Sequence, residues 1–248
     1  MNVLITGANR GIGLGFVNHY LELGAHVWAC YRNNGDALRA INNPRLQLIQ
    51  WDVTEPNPQQ GQLPDSLDPV EGLAQSHPTE PNPQQGQLPD SLDLLINNAG
   101  IYGPAKQSGQ TLQTVTAESM MQVFAVDCVA PLGVVQKLLP ALISSKGRIA
   151  NISSKMGSSS DNSSGSCYAY RAAKAALIIT SKSMAIDLAE YSIKVITLHP
   201  GWVQTDMTNH TGEIDISTSV SGMCRVIDTI DNYPTGAFVA YDGVVIPY

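Results

Sequence analysis

The first thirteen residues constrain the fold of this chain more than any other stretch. Asn2-Val3-Leu4-Ile5-Thr6 is a short apolar run suited to a buried parallel strand, and Gly7-Ala8-Asn9-Arg10-Gly11-Ile12-Gly13 follows at once. An amphipathic helix carrying Phe16, Val17, Tyr20, Leu21 and Leu23 opens immediately afterwards. Strand, glycine turn and helix in that order predict an α/β chain with a parallel sheet. Gly7 permits the sharp turn, Gly11 lets backbone approach a pyrophosphate, and Gly13 lets the helix pack closely on the strand. The helix start offers free N–H groups and the positive end of a dipole to an anion. The spacing is Gly-x-x-x-Gly-x-Gly rather than Gly-x-Gly-x-x-Gly. Its place between a first strand and a helix is what marks Gly7, Asn9, Arg10, Gly11, Ile12 and Gly13 as a dinucleotide-phosphate cradle.

Local features must hold that anion, because the chain as a whole is acidic. A formal charge of −7 argues against a nucleic-acid partner, which needs a basic face to displace counterions. The 248 residues are 43% hydrophobic, enough for a substantial core, and no apolar run approaches the ~20 residues needed to cross a bilayer, so no membrane partner is expected. The N-terminus enters a strand directly, without a basic leader, which predicts a cytoplasmic address. Cys30, Cys128, Cys167 and Cys224 lack the close pairing of zinc or redox motifs, and no metal site is expected. Cys167 is the exception to watch.

Residues 24–32 form the second strand, after Gly24 closes the first helix. An acidic residue near the end of this strand would hold a ribose 2′-hydroxyl, and a basic one a 2′-phosphate. Here the strand ends Cys30-Tyr31-Arg32, no carboxylate follows until Asp36, and Arg10 is a second cation, so NADP(H) is expected over NAD(H). Residues 46–51 form a third strand ending at Asp52-Val53, where a carboxylate could meet an adenine amino group. The segment from Thr54 to Asp68 then recurs residue for residue from Thr79 to Asp93. Its prolines forbid a long helix, so 54–93 reads as a duplicated, looped insertion without chemistry, with at most a short helix around 70–74.

A fourth strand at 92–96 runs into Asn97-Asn98-Ala99-Gly100, at the carboxyl end where ligands of open α/β sheets bind. Two helices are expected at 115–129 and 132–144 with Pro131 between them. A strand at 147–153 leads into a serine-rich loop expected to be mobile, followed by a helix at 167–191 and a sixth strand at 193–198 ending His199-Pro200-Gly201. His199 reads as a packing residue.

The 167–191 helix carries the chemistry. Tyr170 and Lys174 are four residues apart and so share one helical face. A free phenol has a pKa of ~10, and acid/base work near neutrality calls for lowering it by ~3 units. A cation ~4 Å away supplies about that much at an effective dielectric of ~20, so Lys174 is expected to pull the phenol down.

Thr6 to Gly13, Asn97-Asn98-Ala99-Gly100, Asn151-Ile152-Ser153-Ser154, Tyr170-x-x-x-Lys174 and Pro200-Gly201 stand in the order and spacing of the short-chain dehydrogenase/reductase family, which this chain resembles over nearly its whole length. The tail from Gly236 to Tyr248, with Tyr168-Ala169-Tyr170-Arg171, looks most like the C-factor and sniffer-type carbonyl reductases. The resemblance implies one Rossmann-type, doubly wound domain over 1–248, with about seven parallel strands and helices on both faces. It implies a catalytic set in which Tyr170 protonates a carbonyl oxygen, Lys174 assists it and holds the nicotinamide ribose, and Ser154, with Ser153 as alternative, holds the substrate oxygen. Asp127 stands where the family has its fourth member, an asparagine. Arg32, Asp52, Val53, Asn98, Ala99, Gly100, Pro200, Gly201, Val203 and Thr205 would complete the cofactor cleft, and 206–221 would form a substrate lid. The implied activity is NADPH-dependent reduction of an aldehyde, ketone or quinone, by a chain that pairs into homodimers or homotetramers. Two alternatives accompany it: a dinucleotide-binding signalling or redox-sensing protein with little turnover, and an epimerase or dehydratase of the extended branch.

Overall fold

The computed structural model describes residues 1–55, 87–103 and 110–248. Seven strands form one parallel sheet: β1 (Asn2–Ile5), β2 (His26–Tyr31), β3 (Leu46–Gln50), β4 (Leu94–Asn97), β5 (Arg148–Ile152), β6 (Lys194–His199) and β7 (Phe238–Ala240). Their order across the sheet is β3-β2-β1-β4-β5-β6-β7, so the winding reverses between β1 and β4. A crevice at the carboxyl ends is built into that reversal, because the connections leave β1 and β4 in opposite directions.

Both sheet faces are buried, which is why the strands read as apolar runs rather than alternating ones. Successive residues point to opposite sides. Val3 and Ile5 pack with Phe16, Val17 and Tyr20 of α1 (Gly11–Glu22), while Leu4, between them, packs with Val134, Leu138 and Leu142 from the other face. The first face also receives Met223 and Ile227 of the C-terminal helix Ile216–Asp228, and the second Met184 and Ala185 of the helix Tyr168–Asp187. Gly24, at φ +75°, ends α1 as expected.

The two helices expected on either side of Pro131 are one continuous run. A helix at Ala117–Phe124 passes through a π-helical turn at Ala125–Val129 into a helix at Ala130–Ser145. Pro131 lies in the first turn after the wide one, where a missing N–H costs little. The run is 29 residues, and its most apolar 18-residue stretch has a mean hydropathy of 1.6; by length and composition it could cross a bilayer, and half of that stretch is buried inside the fold.

The serine-rich loop, expected to be mobile, is pinned at several points. Lys155 pairs with Asp161 at 3.0 Å, the Ser158 hydroxyl donates to the Pro247 carbonyl, and Arg171 donates to the carbonyls of Met156 and Gly165. His199 accepts the Lys155 N–H on Nδ1 at 3.2 Å, and burial, with Lys155 nearby, pushes the ring down to about 4, so it stays a neutral acceptor. Most of the duplicated insertion, including the short helix expected around 70–74, lies outside the described residues. The end of its second copy does not: Asn2 donates from backbone and side chain to Asp93 and Ser91, and Leu92 is fully buried.

Candidate active site

The turn after β1 and the turn after β4 are stitched together at the sheet reversal. Thr6 Oγ1 accepts the N–H groups of Asn98 and Ala99 at 3.0 and 3.1 Å, and Asn98 Nδ2 donates to the carbonyls of Thr6 and Gly7, both at 3.0 Å. The Asn98 amide is therefore spent on holding the glycine turn. Gly7, at φ +62°, occupies the left-handed region. A Cβ at Gly13 would collide with the Gly7 carbonyl oxygen and meet Asn98 Nδ2 at 2.6 Å. Gly13→Ala is expected to destabilise the protein by about 1–3 kcal/mol, since the obstacle is backbone, and a thermal unfolding midpoint unchanged from the parent would contradict this.

The cleft above this turn is walled by the whole glycine loop except Ala8, and by Arg32, Asp52 and Val53 on one side. Asn98, Ala99, Gly100, Pro200 and Thr205 line it further along, with Tyr170 and Lys174 at the far end. Trp51, Ile101, Val126 and Met207 line it too; none carries a motif that reading by residue type would flag. Gly201 and Val203, expected in the wall, are absent from it. Gly201 takes φ +86° beside Ile214 and Tyr241, and Val203 is buried in a backbone bridge to Ile214, so both shape the fold behind the cleft.

The cleft fits a dinucleotide. The α1 N-terminus has no side-chain cap: Arg10 at the cap position has no acceptor to offer the helix N–H groups, and its guanidinium pairs with Asp206 at 3.2 Å. The first N–H groups of the helix are thus left for an anionic ligand. Arg32 faces Asp52 across 3.9 Å, and both line the cleft.

At the far end the Tyr168–Asp187 helix carries Tyr170 and Lys174 inward, both buried. The two serines separate by geometry. Ser153 donates to the backbone carbonyl of Lys174 at 2.9 Å, whereas the Ser154 hydroxyl accepts the Met156 N–H at 3.2 Å and lies near enough to the Tyr170 phenol to lower its pKa. Lys174 Nζ donates to the Ile152 carbonyl at 3.1 Å and pairs with Asp127 Oδ2 at 3.1 Å. Asp127, fully buried, is delivered by the π-helical turn and accepts the Ile101 N–H on Oδ1 at 2.8 Å. The Tyr102 ring stacks at a tilt on Tyr170, centroids 4.8 Å apart, and its hydroxyl lies 2.9 Å from Cys167 Sγ.

The expected fall in the phenol's pKa is not found here. Burial raises Tyr170, Lys174 lowers it, Asp127 raises it again and the nearby Ser154 hydroxyl lowers it, with a balance above the ordinary tyrosine value. Burial alone would lower the Lys174 ammonium, but Asp127 and Tyr170 outweigh it and hold the lysine charged. Burial likewise lifts Asp127, against the pull of Lys174 and the Ile101 N–H.

Comparison with known proteins agrees with this layout. A family model described as short chain dehydrogenase matches residues 1–64 and 84–215. C-signal of Myxococcus xanthus is 39% identical over 156 residues, 62% of this chain and 92% of that protein. Human 17-beta-hydroxysteroid dehydrogenase type 2 is 31% identical over 209 residues, 83% of this chain and 48% of that longer protein. Among solved structures, NADPH-bound carbonyl reductase from chicken fatty liver superposes with a TM-score of 0.80 at 31% identity, covering 100% of this chain and 98% of that one. Carbonyl reductase Sniffer of D. melanogaster superposes at 0.79 with 26% identity, covering 100% and 99%. The glycine turn, the Asn97 to Gly100 strand end and the Tyr170–Lys174 helix all fall inside the matched stretches, and the chain belongs to the short chain dehydrogenase family.

Proposed function

We propose that this protein is an NADPH-dependent carbonyl reductase. The observation that carries the reading is the joining of a buried Tyr170, with Ser154 acting on its phenol, and a buried lysine at the end of a cleft shaped for a dinucleotide. The glycine loop and the α1 N-terminus hold the pyrophosphate, Arg32 the 2′-phosphate, and Asp52 and Val53 the adenine. The bound dinucleotide supplies the hydride. The chain's own work is to orient the carbonyl oxygen on Ser154 and Tyr170 and to donate the phenolic proton to it as negative charge develops. The segment 206–221 acts as the lid, tied to the glycine loop by Arg10–Asp206 and to itself by His210–Asp206 at 3.1 Å.

A titration of NADPH against NADH, followed by a panel of aldehydes, ketones and quinones, tests the reading. Arg32→Ala is expected to weaken NADPH binding by about tenfold to hundredfold, the worth of one charge-assisted contact, and to leave NADH affinity nearly unchanged. Equal losses for both cofactors would remove Arg32 from the 2′-phosphate. The C-signal likeness favours a second reading, a signalling protein that binds the dinucleotide and turns over little. Tight NADPH binding with no oxidation across the panel would select it.

A further inference from the structure

We propose that Asp127 is a positioning residue which, through its ion pair with Lys174, tunes the site to give up a proton rather than to take one. The protein then reduces carbonyls over a wide pH range and is a poor alcohol dehydrogenase near neutrality. The inference rests on the carbonyl reductase reading and adds a direction to it.

The geometry leaves Asp127 little choice. Its carboxylate is fully buried, 3.1 Å from Nζ, and fixed on its other oxygen by the Ile101 N–H. Gly100 closes the remaining side: a Cβ there would sit 3.3 Å from Nζ and 3.5 Å from each carboxylate oxygen. Lys174 lies over the Tyr170 ring, its nitrogen 5.6 Å from the centroid. A lone ammonium at that range favours the phenolate strongly, but an ammonium held against a carboxylate presents a dipole whose two ends largely cancel. What then governs the phenol is its burial, which favours the neutral form, in keeping with the upward direction found for Tyr170.

Among the described residues, no other charge near the trio replaces the one Asp127 cancels. Tyr102 packs on Tyr170 from the loop after β4, Cys167 binds the Tyr102 hydroxyl, and Cys128 lies beside Asp127 and Lys174. Arg171, a residue along the helix, directs its guanidinium to Met156, Gly165 and Ser164.

In reduction the phenolic O–H bond breaks, the alcohol O–H bond forms, and a solvent proton restores the phenol; the reduced dinucleotide is the electron donor. A phenol that stays protonated is ready for this. In oxidation the phenolate must take the alcohol proton, and a phenolate that forms only in alkali makes that direction slow near neutral pH.

The test has two arms. With carbonyl substrate and NADPH, the alkaline fall of kcat/KM in Asp127→Asn should have its midpoint about one pH unit or more below that of the parent, and alcohol oxidation at pH 7 should rise relative to reduction. Superimposable profiles would overturn the proposal. Ultraviolet difference titration of the parent against Tyr170→Phe needs neither turnover nor the Asp127 variant. It should show the Tyr170 phenolate forming above pH ~10, and formation below pH ~8 would overturn the proposal. If no carbonyl is reduced by either protein, the carbonyl reductase reading fails, while the titration still decides what Asp127 does to the phenol.

Discussion

Tyr170→Phe is expected to lower kcat/KM for carbonyl reduction by about 10²- to 10⁴-fold, the usual worth of a positioned general acid. The change removes one oxygen from a buried ring stacked on Tyr102, so the packing is kept and the loss falls on proton donation. NADPH affinity should change far less than turnover, since the pyrophosphate cradle lies at the other end of the cleft. Steady-state kinetics beside a binding titration separates the two effects. A variant that turns over as fast as the parent would show that the phenol is not the acid, and the proposed reaction would go with it.

Lys174→Met should show the largest effect on stability. It strands the Asp127 carboxylate in a fully buried site where, among the described residues, the Ile101 N–H remains as its hydrogen-bond partner. Removing one member of a buried ion pair costs about 3–5 kcal/mol, which for a chain of this size lowers the unfolding midpoint by roughly 10 °C. The deficit should also depend on pH with a definite sign. Without the lysine, burial raises the folded-state pKa of Asp127 well above its unfolded value of ~3.9. A group raised in this way stabilises the folded state below the unfolded pKa, and that contribution is lost as pH rises through the folded one. The gap between parent and variant should therefore widen from pH 4 to pH 8. Adding Asp127→Asn to Lys174→Met should recover most of the loss by removing the stranded charge. A double variant no more stable than Lys174→Met would place the cost elsewhere.

The parallel sheet, the glycine turn and the inward face of the Tyr170 helix were all legible in the residues themselves. Each rests on local rules: a strand buried on both faces must be apolar, a turn with φ +62° favours glycine, and two side chains four apart on a helix share a face. Residue type alone could not separate Ser153 from Ser154, neighbours of the same chemistry. The strand pleat and the approach of the Tyr168–Asp187 helix send the Ser153 hydroxyl to the Lys174 backbone and leave the Ser154 hydroxyl to act on the phenol. Pro131 read as a break between helices because its missing N–H penalises an ordinary helix interior, and the π-helical turn before it removes that penalty.

Charge was the least legible property. The spacing of Tyr170 and Lys174 implied a lowered phenol, and in isolation that pair would behave so. The outcome turned first on the burial of the phenol and then on Asp127, 47 positions before Lys174 in the chain and 3.1 Å from it in space. Local sequence determines which residues can share a face, because that depends on backbone geometry over a few residues. The sign of a buried residue's field depends on every charge packed around it, and only the tertiary structure decides which those are.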